Sequence, residues 1–223
     1  MWRHSHNKTL TDAADQGVRA AELDQLHAAV LHLFALVSEG LAAATAAFLT
    51  SDREAARLLN ASEQVVDSVY GTAERLVRRG LVSREATAEQ DLRLLLVVLQ
   101  IVPELERSGD LVQHIAVRAG QGLAKGLTPR TRGIVERMGA VATDMWRAAT
   151  VAYADRDPTA AARLRLRDDE LDDLHVTLTD ELATMTLPMA AAIEMGLVAR
   201  FFERLGDHAV NISRRVESLG EAA

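Results

Sequence analysis

Apolar residues recur at helical spacing along nearly the whole chain, and no alternation typical of β-strands lasts more than a few residues. This pattern predicts six helices, over residues 16–49, 52–79, 84–119, 129–154, 158–184 and 187–219. Start signals support three of these boundaries, because Ser51 and Glu54 form a capping box and Thr128-Pro129 and Asp157-Pro158 resemble helix caps. The pattern therefore predicts an all-α protein.

The two halves of the chain are related to each other. The motif Glu106-Arg107-Ser108-Gly109-Asp110 stands 97 residues before Glu203-Arg204-Leu205-Gly206-Asp207, and a glycine-rich connector over 120–128 separates the halves. A repeat of about 100 residues is too long for a solenoid and indicates a duplicated three-helix unit. We predict two tandem pseudo-symmetric three-helix bundles, over residues 1–122 and 129–223.

Composition and charge exclude several classes of function. The chain is 48% hydrophobic and only 4% aromatic, carries a net charge of −7 and contains no cysteine. A negative chain without a concentrated basic stripe is not expected to bind nucleic acid or an anionic membrane by bulk charge. The most apolar stretches, 92–102 and 185–202, are too short or interrupted by charges to span a bilayer. Together with an N-terminus that lacks a signal-peptide pattern, this predicts a soluble, intracellular protein.

Four pairs of acidic residues could carry chemistry. Residues four apart share one face of a helix, where two like charges repel unless a positive group lies between them. A hard cation needs several oxygen ligands, and facing helices of a bundle can each supply a carboxylate pair. Gly109 and Gly206 leave bare backbone beside two of the pairs, so that an ion or another helix can approach closely. The pairs are Glu63 and Asp67, Glu106 and Asp110, Asp168 and Asp172, and Glu203 and Asp207.

A plainer interpretation competes with the cation site. Each pair alone is explained as a solvated acidic face balanced by a neighbour such as Arg107 or Arg204. Four pairs at matching points of both halves favour a shared function instead. For His114 and His208, a hydrogen-bonded structural role is expected, since neither stands in the Glu-x-x-His pattern of di-iron bundles. No phosphate loop, zinc-protease motif or nucleophile elbow is present, so we do not predict an enzyme.

These motifs resemble those of the PhoU family of phosphate-transport accessory and regulatory proteins. The stretch 203–212 is similar to the second signature of that family, 106–110 is similar to its first, and Asp91-Leu92-Arg93 stands where the family carries Asp-Leu-Arg. The resemblance runs from about residue 20 to 219. This sequence departs from the pattern at Ser108, which occupies an apolar slot, and at Leu111, which stands where the second copy has His208.

The resemblance implies a cytoplasmic protein of two three-helix bundles that forms a homodimer and represses the phosphate-starvation response and phosphate uptake. The implied partners are a sensor histidine kinase and the ATPase of the phosphate transporter. The chain would contact the membrane only through these partner proteins. It also implies metal binding by the acidic motifs, with iron, zinc, manganese, nickel or magnesium as the ion. Carried over by position, the metal ligands are Glu63, Asp67, Glu106 and Asp110 in the first bundle and Asp168, Asp172, Glu203 and Asp207 in the second.

Two alternatives stay open beside this signalling adaptor. One is a metal-binding carboxylate-bundle protein, either an ion store or a metal-dependent enzyme. The other is a purely structural bundle whose acidic pairs are solvated. Elemental analysis of the purified protein separates these two from each other, and capture of a kinase or transporter ATPase tests the adaptor.

Overall fold

Helices account for the secondary structure of the part of the chain that is described. The computed structural model describes the backbone of residues 3–61, 63–82 and 88–220 and the side chains of residues 17–59, 64–82 and 88–219, and no strand occurs in these ranges. The helices are α1 (Arg3–Thr50), α2 (Arg53–Ala61), α3 (Glu63–Val82), α4 (Glu89–Gly120), α5 (Pro129–Asp155), α6 (Ala160–Thr184) and α7 (Met189–Gly220), with a 3-10 turn at Leu123–Gly126. The predicted all-α fold is confirmed.

The helix boundaries differ from the prediction in three places, one of which is the start of α4 at Glu89, five residues after the predicted start at 84. α1 begins at Arg3, about four turns before the predicted start, and the second predicted helix is covered by α2 and α3 on either side of residue 62. The start of α2 is capped by Asp52 and not by Ser51, because Asp52 Oδ1 accepts from the backbone N–H groups of Glu54 and Ala55, both at 3.0 Å. Thr128 caps α5 as predicted, with its hydroxyl oxygen 3.1 Å from the Thr131 nitrogen.

The first bundle consists of α1 to α4 and the second of α5 to α7, and one hydrophobic core runs through both. The two bundles join along two helix pairs, α1 with α5 and α4 with α7. Phe34 of α1 packs against the rings of Trp146 and Tyr153 of α5, and all three side chains are fully buried. The halves are therefore repeats in sequence that share a core in space.

α1 supplies a buried stripe to this core and is also the most apolar long helix described. Its stretch Gly17–Thr50 is, among the described residues, the one long and apolar enough to cross a membrane by length and composition, a feature that the sequence analysis missed. Half of its most apolar window is buried inside the protein. Its buried positions follow helical spacing, as in a core helix. They include Leu26, Val30, Leu33, Val37, Leu41, Ala44 and Phe48.

Arg132 of α5 ties the ends of three elements together. Its half-buried guanidinium donates to the carbonyl oxygen of Leu49 in the last turn of α1 and, at 2.7 Å, to that of Ala124 in the 3-10 turn. Carbonyls at the end of a helix lack partners within the helix, and a guanidinium can satisfy two of them at once. This contact fixes the connector between the bundles.

Candidate functional site

The four carboxylates predicted for the second bundle lie together, and we call them the second acidic cluster. Asp168 and Asp172 come from α6, and Glu203 and Asp207 come from α7. Burial and, after it, the negative charges of Asp207, Asp172 and Glu203 together raise the pKa of Asp168 to about 7. A carboxyl group with this pKa is about half protonated at neutral pH, because burial and like charges both disfavour its ionised form.

Asp172 and Glu203 of the second acidic cluster carry the same signature. Burial raises the pKa of Asp172, with Asp207 as the next cause. Burial and then Asp207 also raise the pKa of Glu203, although the guanidinium of Arg200 opposes them. Arg200 bonds one oxygen of Glu203, whereas the other, Oε2, is buried and has no hydrogen-bond partner among the described residues. An unsatisfied buried carboxylate oxygen costs free energy that a bound positive group would recover.

Gly206 lets α6 approach α7 closely at this cluster. A Cβ atom built on Gly206 would lie 2.6 Å from Asp168 Oδ1 and 2.7 Å from Leu171 Cδ2. No side chain fits there, so glycine at this position places the Asp168 carboxylate directly against the α7 backbone. The sequence analysis proposed this close approach, and the structure confirms it for Gly206.

The first acidic cluster is formed by Asp67 of α3 with Glu106 and Asp110 of α4. Burial raises the pKa of Glu106, and the charges of Asp110 and Asp67 add to the increase while Arg107 opposes it. The side chain of Glu63, the fourth predicted member, lies outside the described residues. Asp67 and Asp110 also line a cavity of about 40 Å³, which is large enough for a water molecule or a small ion. The predicted grouping is therefore present for the three described members.

The described carboxylates of each acidic cluster lie near one another, but they do not converge on a common point where an ion could bind. Among the described side chains, no group of three or more His, Asp and Glu residues is arranged to hold a metal ion in this conformation. Metal binding by either acidic cluster would need its carboxylates to turn toward each other. The donor set itself, all carboxylate, suits hard cations such as magnesium and manganese.

His208 has the hydrogen-bonded structural role expected of it, whereas the ring of His114 is held by stacking. His208 is buried, and its Nδ1 lies 2.9 Å from Ser108 Oγ of α4. Its pKa is lowered by burial, against the raising effect of Glu104. His114 stacks on Phe201 with 5.3 Å between ring centroids. Neither histidine belongs to an acidic cluster.

Sequence reasoning missed the polar contacts between α4 and α7. Arg118 Nε lies 2.7 Å from Glu194 Oε2, and its guanidinium stands over the Phe201 ring at 4.8 Å from the centroid. The Glu104 carboxylate lies 3.6 Å from both His208 Nδ1 and Arg215. These partners are 76 to 111 residues apart in sequence, so only the 97-residue repeat, which makes α4 and α7 equivalent, could have suggested that they face each other.

The fold and the site define a class: helical proteins built from a duplicated bundle with one acidic cluster in each copy. The PhoU domain family model matches this chain twice, over residues 30–119 and 135–216. The chain belongs to the PhoU family.

Named relatives and a solved structure agree with that assignment. The chain is 30% identical over 203 residues to the phosphate-specific transport system accessory protein PhoU homolog 1 of Mycobacterium leprae, covering 87% of this chain and 89% of that protein. It is 30% identical to PhoU homolog 2 of Mycobacterium tuberculosis, covering 87% and 92%. The crystal structure of PhoU from Pseudomonas aeruginosa superposes with a TM-score of 0.83 at 27% identity, covering 92% of this chain and 99% of that one.

Proposed function

We propose that this chain is a phosphate-signalling adaptor that represses the phosphate-starvation response and phosphate uptake. It acts by contacting a sensor histidine kinase and the ATPase of a phosphate transporter in the cytoplasm, and it does so as a homodimer and without catalysing a reaction. One observation carries the proposal: two acidic clusters occupy matching places in a PhoU-family fold. Relatives named as phosphate-specific transport accessory proteins, matched over most of their length, support the phosphate assignment.

The acidic clusters are the proposed sensing element, and a bound cation would neutralise them. In the second bundle Asp168, Asp172, Glu203 and Asp207 would hold it, and in the first bundle Glu63, Asp67, Glu106 and Asp110 would do so. Glu203 Oε2, which has no hydrogen-bond partner among the described residues, and the raised pKa of Asp168 support this fit, because both mark negative charge that the described residues compensate only in part. The ion, which is iron, zinc, manganese, nickel or magnesium, would supply positive charge that draws α6 and α7 together.

Partner capture tests the adaptor function. The tagged chain is expressed in its own host and cross-linked in phosphate-rich and in phosphate-starved medium. We expect a histidine kinase and a transporter ATPase to be identified among the cross-linked proteins, and their recovery to differ between the two media. Recovery of neither protein in either medium would contradict the proposal.

A reporter of a phosphate-starvation promoter tests the role of the acidic clusters. In a strain that lacks its own copy, the wild-type chain should restore repression in phosphate-rich medium, whereas the double variant Asp110→Asn/Asp207→Asn should not. The control is Asp180→Asn, which removes an exposed carboxylate of α6 outside the cluster. Repression that is equally strong with the double variant would separate the clusters from signalling.

Homodimerisation is tested by light scattering on the eluted peak of a gel-filtration column. We expect a particle of twice the mass of one chain. A particle with the mass of one chain at cellular concentrations would overturn this part of the proposal.

A further inference from the structure

α4 and α7 run antiparallel and form a seam between the two bundles. Ser108 near the middle of α4 contacts His208, whereas Arg118 near the end of α4 contacts Glu194 near the start of α7. At the other end of the seam Arg215 donates to the Gln100 carbonyl at 2.9 Å. The seam therefore passes both signature motifs, since each lies at the centre of its helix.

The Ser108–His208 contact has a defined direction. Ser108 Oγ lies 2.6 Å from the carbonyl oxygen of Glu104, one turn back in α4, and can only donate to it. A hydroxyl has one proton, so the Ser108 oxygen accepts the second bond from the N–H at Nδ1 of His208. Ser108 is fully buried, which means that solvent cannot replace this bond when it is lost.

This bond lies between the two acidic clusters. Ser108 is two residues from both Glu106 and Asp110, and His208 directly follows Asp207. A rotation or shift of α7 that moves Asp207 must therefore move His208 against Ser108, and α4 carries the change to Asp110. The Glu104 carboxylate, 3.6 Å from His208 Nδ1 and from Arg215, adds a weaker contact to the same place.

The Ser108–His208 bond has no polar counterpart at the equivalent positions of the other half. At the 97-residue offset, the equivalent of Ser108 is Leu205 and the equivalent of His208 is Leu111, and both leucines are buried. The equivalent positions are therefore apolar, whereas Ser108 and His208 are polar. A buried polar pair in place of an apolar pair fixes relative position more strictly than it adds stability.

We propose that the Ser108–His208 hydrogen bond couples the two acidic clusters, so that a change of charge or of cation occupancy in one cluster changes the energetics of the other. The charge part of this proposal is independent of metal binding. The cation part rests on the proposed function. Ser108 and His208 act here as positioning residues, because they contact each other across the seam and neither is one of the cluster carboxylates.

A double-mutant cycle measured in the presence of a chelator tests the coupling between the two acidic clusters in the metal-free protein. Urea unfolding is measured for Asp110→Asn, Asp207→Asn and the combination, first with Ser108 and then in a Ser108→Ala background. With Ser108 we expect the two substitutions to be non-additive by about fivefold in the unfolding equilibrium constant, as is usual for coupled sites. With Ser108→Ala the factor should fall below about twofold. A factor that is the same in both backgrounds overturns the proposal, and so does additivity with Ser108 present.

Two control backgrounds separate coupling from loss of a buried hydroxyl. Ser213→Ala removes the hydroxyl of a fully buried serine in α7, and this hydroxyl has no hydrogen-bond partner among the described residues. The substitution should leave the fivefold factor unchanged. The pair Ser108→Ala/His208→Leu removes both partners of the hydrogen bond, while Arg215 remains beside the Glu104 carboxylate, so the variant should fold and still lack the coupling. Coupling that persists in this pair contradicts the proposal.

Titration with Mn²⁺ alone tests the cation part. The dissociation constant of the second acidic cluster should shift by about fivefold on Asp110→Asn with Ser108 present and by less than about twofold with Ser108→Ala. If Mn²⁺ binds neither cluster while the urea cycle still shows coupling, the cation part of the proposed function fails and the coupling stands. If Mn²⁺ binds but the shift is insensitive to Ser108, the coupling fails and the proposed function stands.

Discussion

The carboxylate of Asp168 packs directly against the backbone of Gly206, close enough that a Cβ on Gly206 would lie 2.6 Å from Asp168 Oδ1. This contact explains why a raised pKa and a glycine occur together in the second acidic cluster. Only at a glycine can α6 bring a carboxylate so close to α7, and the burial that results is the main cause of the raised pKa of Asp168.

The Gly206→Ala substitution should destabilise the protein by about 1–3 kcal/mol, because its methyl group would also meet Leu171 Cδ2 at 2.7 Å in a packed interface. Urea unfolding measures the loss. The matched control is Gly196→Ala in the same helix, where a Cβ meets nothing within 4 Å and the alanine should be neutral or stabilise by up to about 1 kcal/mol. Equal effects at the two glycines would show that the close approach is absent.

Asp168→Asn should stabilise the metal-free protein near pH 8 and have a smaller effect near pH 5. The pKa of Asp168 rises from its ordinary value of 3.8 to about 7 on folding, so the folded state binds the proton more tightly. The contribution of Asp168 to stability is then complete below about pH 4 and is lost as the pH rises through about 7. Since Asp168 is partly exposed, screening limits the gain of the asparagine variant at pH 8 to about 1–2 kcal/mol.

Urea unfolding in chelator at both pH values provides the measurement for Asp168→Asn. Asp180→Asn, in an exposed part of α6, serves as the control and should show no such pH dependence. A stabilisation by Asp168→Asn that is larger at pH 5 than at pH 8 would contradict the burial of the Asp168 charge.

The repeat and the helical pattern sufficed to predict the fold and the grouping of the acidic residues, because both follow from spacing along the chain. Asp168 and Asp207 are expected to share a site, and the charge of Asp207 helps to raise the pKa of Asp168, Asp172 and Glu203. The seam contacts could not be predicted in the same way. The hydrogen bond between Ser108 and His208 depends on how two bundles dock, which no local pattern encodes.

The start of α1 and the cap of α2 both differ from the prediction. α1 extends to Arg3 although its early residues show no strong apolar pattern, because helix propensity alone does not mark where a long helix begins. Asp52 caps α2 in place of Ser51, whose backbone φ of 56° turns the chain between α1 and α2. Because Ser51 forms the turn, Asp52 is the residue that caps α2.

Arg132→Met should destabilise the protein by about 2–3 kcal/mol, because it leaves the carbonyl oxygens of Leu49 and Ala124 without their charged donor while keeping most of the side-chain volume. Thermal unfolding checks the loss. Arg147→Met on the same helix is the control, since the Arg147 guanidinium is largely exposed and its contact with Asp144 at 3.4 Å contributes little. A loss no larger than that of the control would show that Arg132 does not fix the connector.

The last prediction concerns the cation itself. If the second acidic cluster binds a metal ion, an ion at 100 times its dissociation constant adds about 2.7 kcal/mol to stability, provided that the unfolded chain does not bind it. For a chain of this length, that corresponds to a rise in melting temperature of about 5–10 °C. Chelator should therefore lower the melting temperature of the wild-type protein, and Mn²⁺ or another of the candidate ions should restore it.

The substitution Asp207→Asn distinguishes this binding from a solvated acidic face. In that variant the effect of chelator should shrink or vanish, because one ligand is lost, whereas Asp180→Asn should respond as the wild type does. A solvated face predicts no effect of chelator on any of the three proteins, and a slight stabilisation by Asp207→Asn, because the repulsion between Glu203 and Asp207 is relieved. We expect Asp110→Asn to change the response less than Asp207→Asn does, since the signature around Asp207 is closer to the family pattern. A melting temperature that does not change with chelator, iron, zinc, manganese, nickel or magnesium would show that the clusters bind none of these cations. The positive charge that neutralises the carboxylates would then have to come from another group.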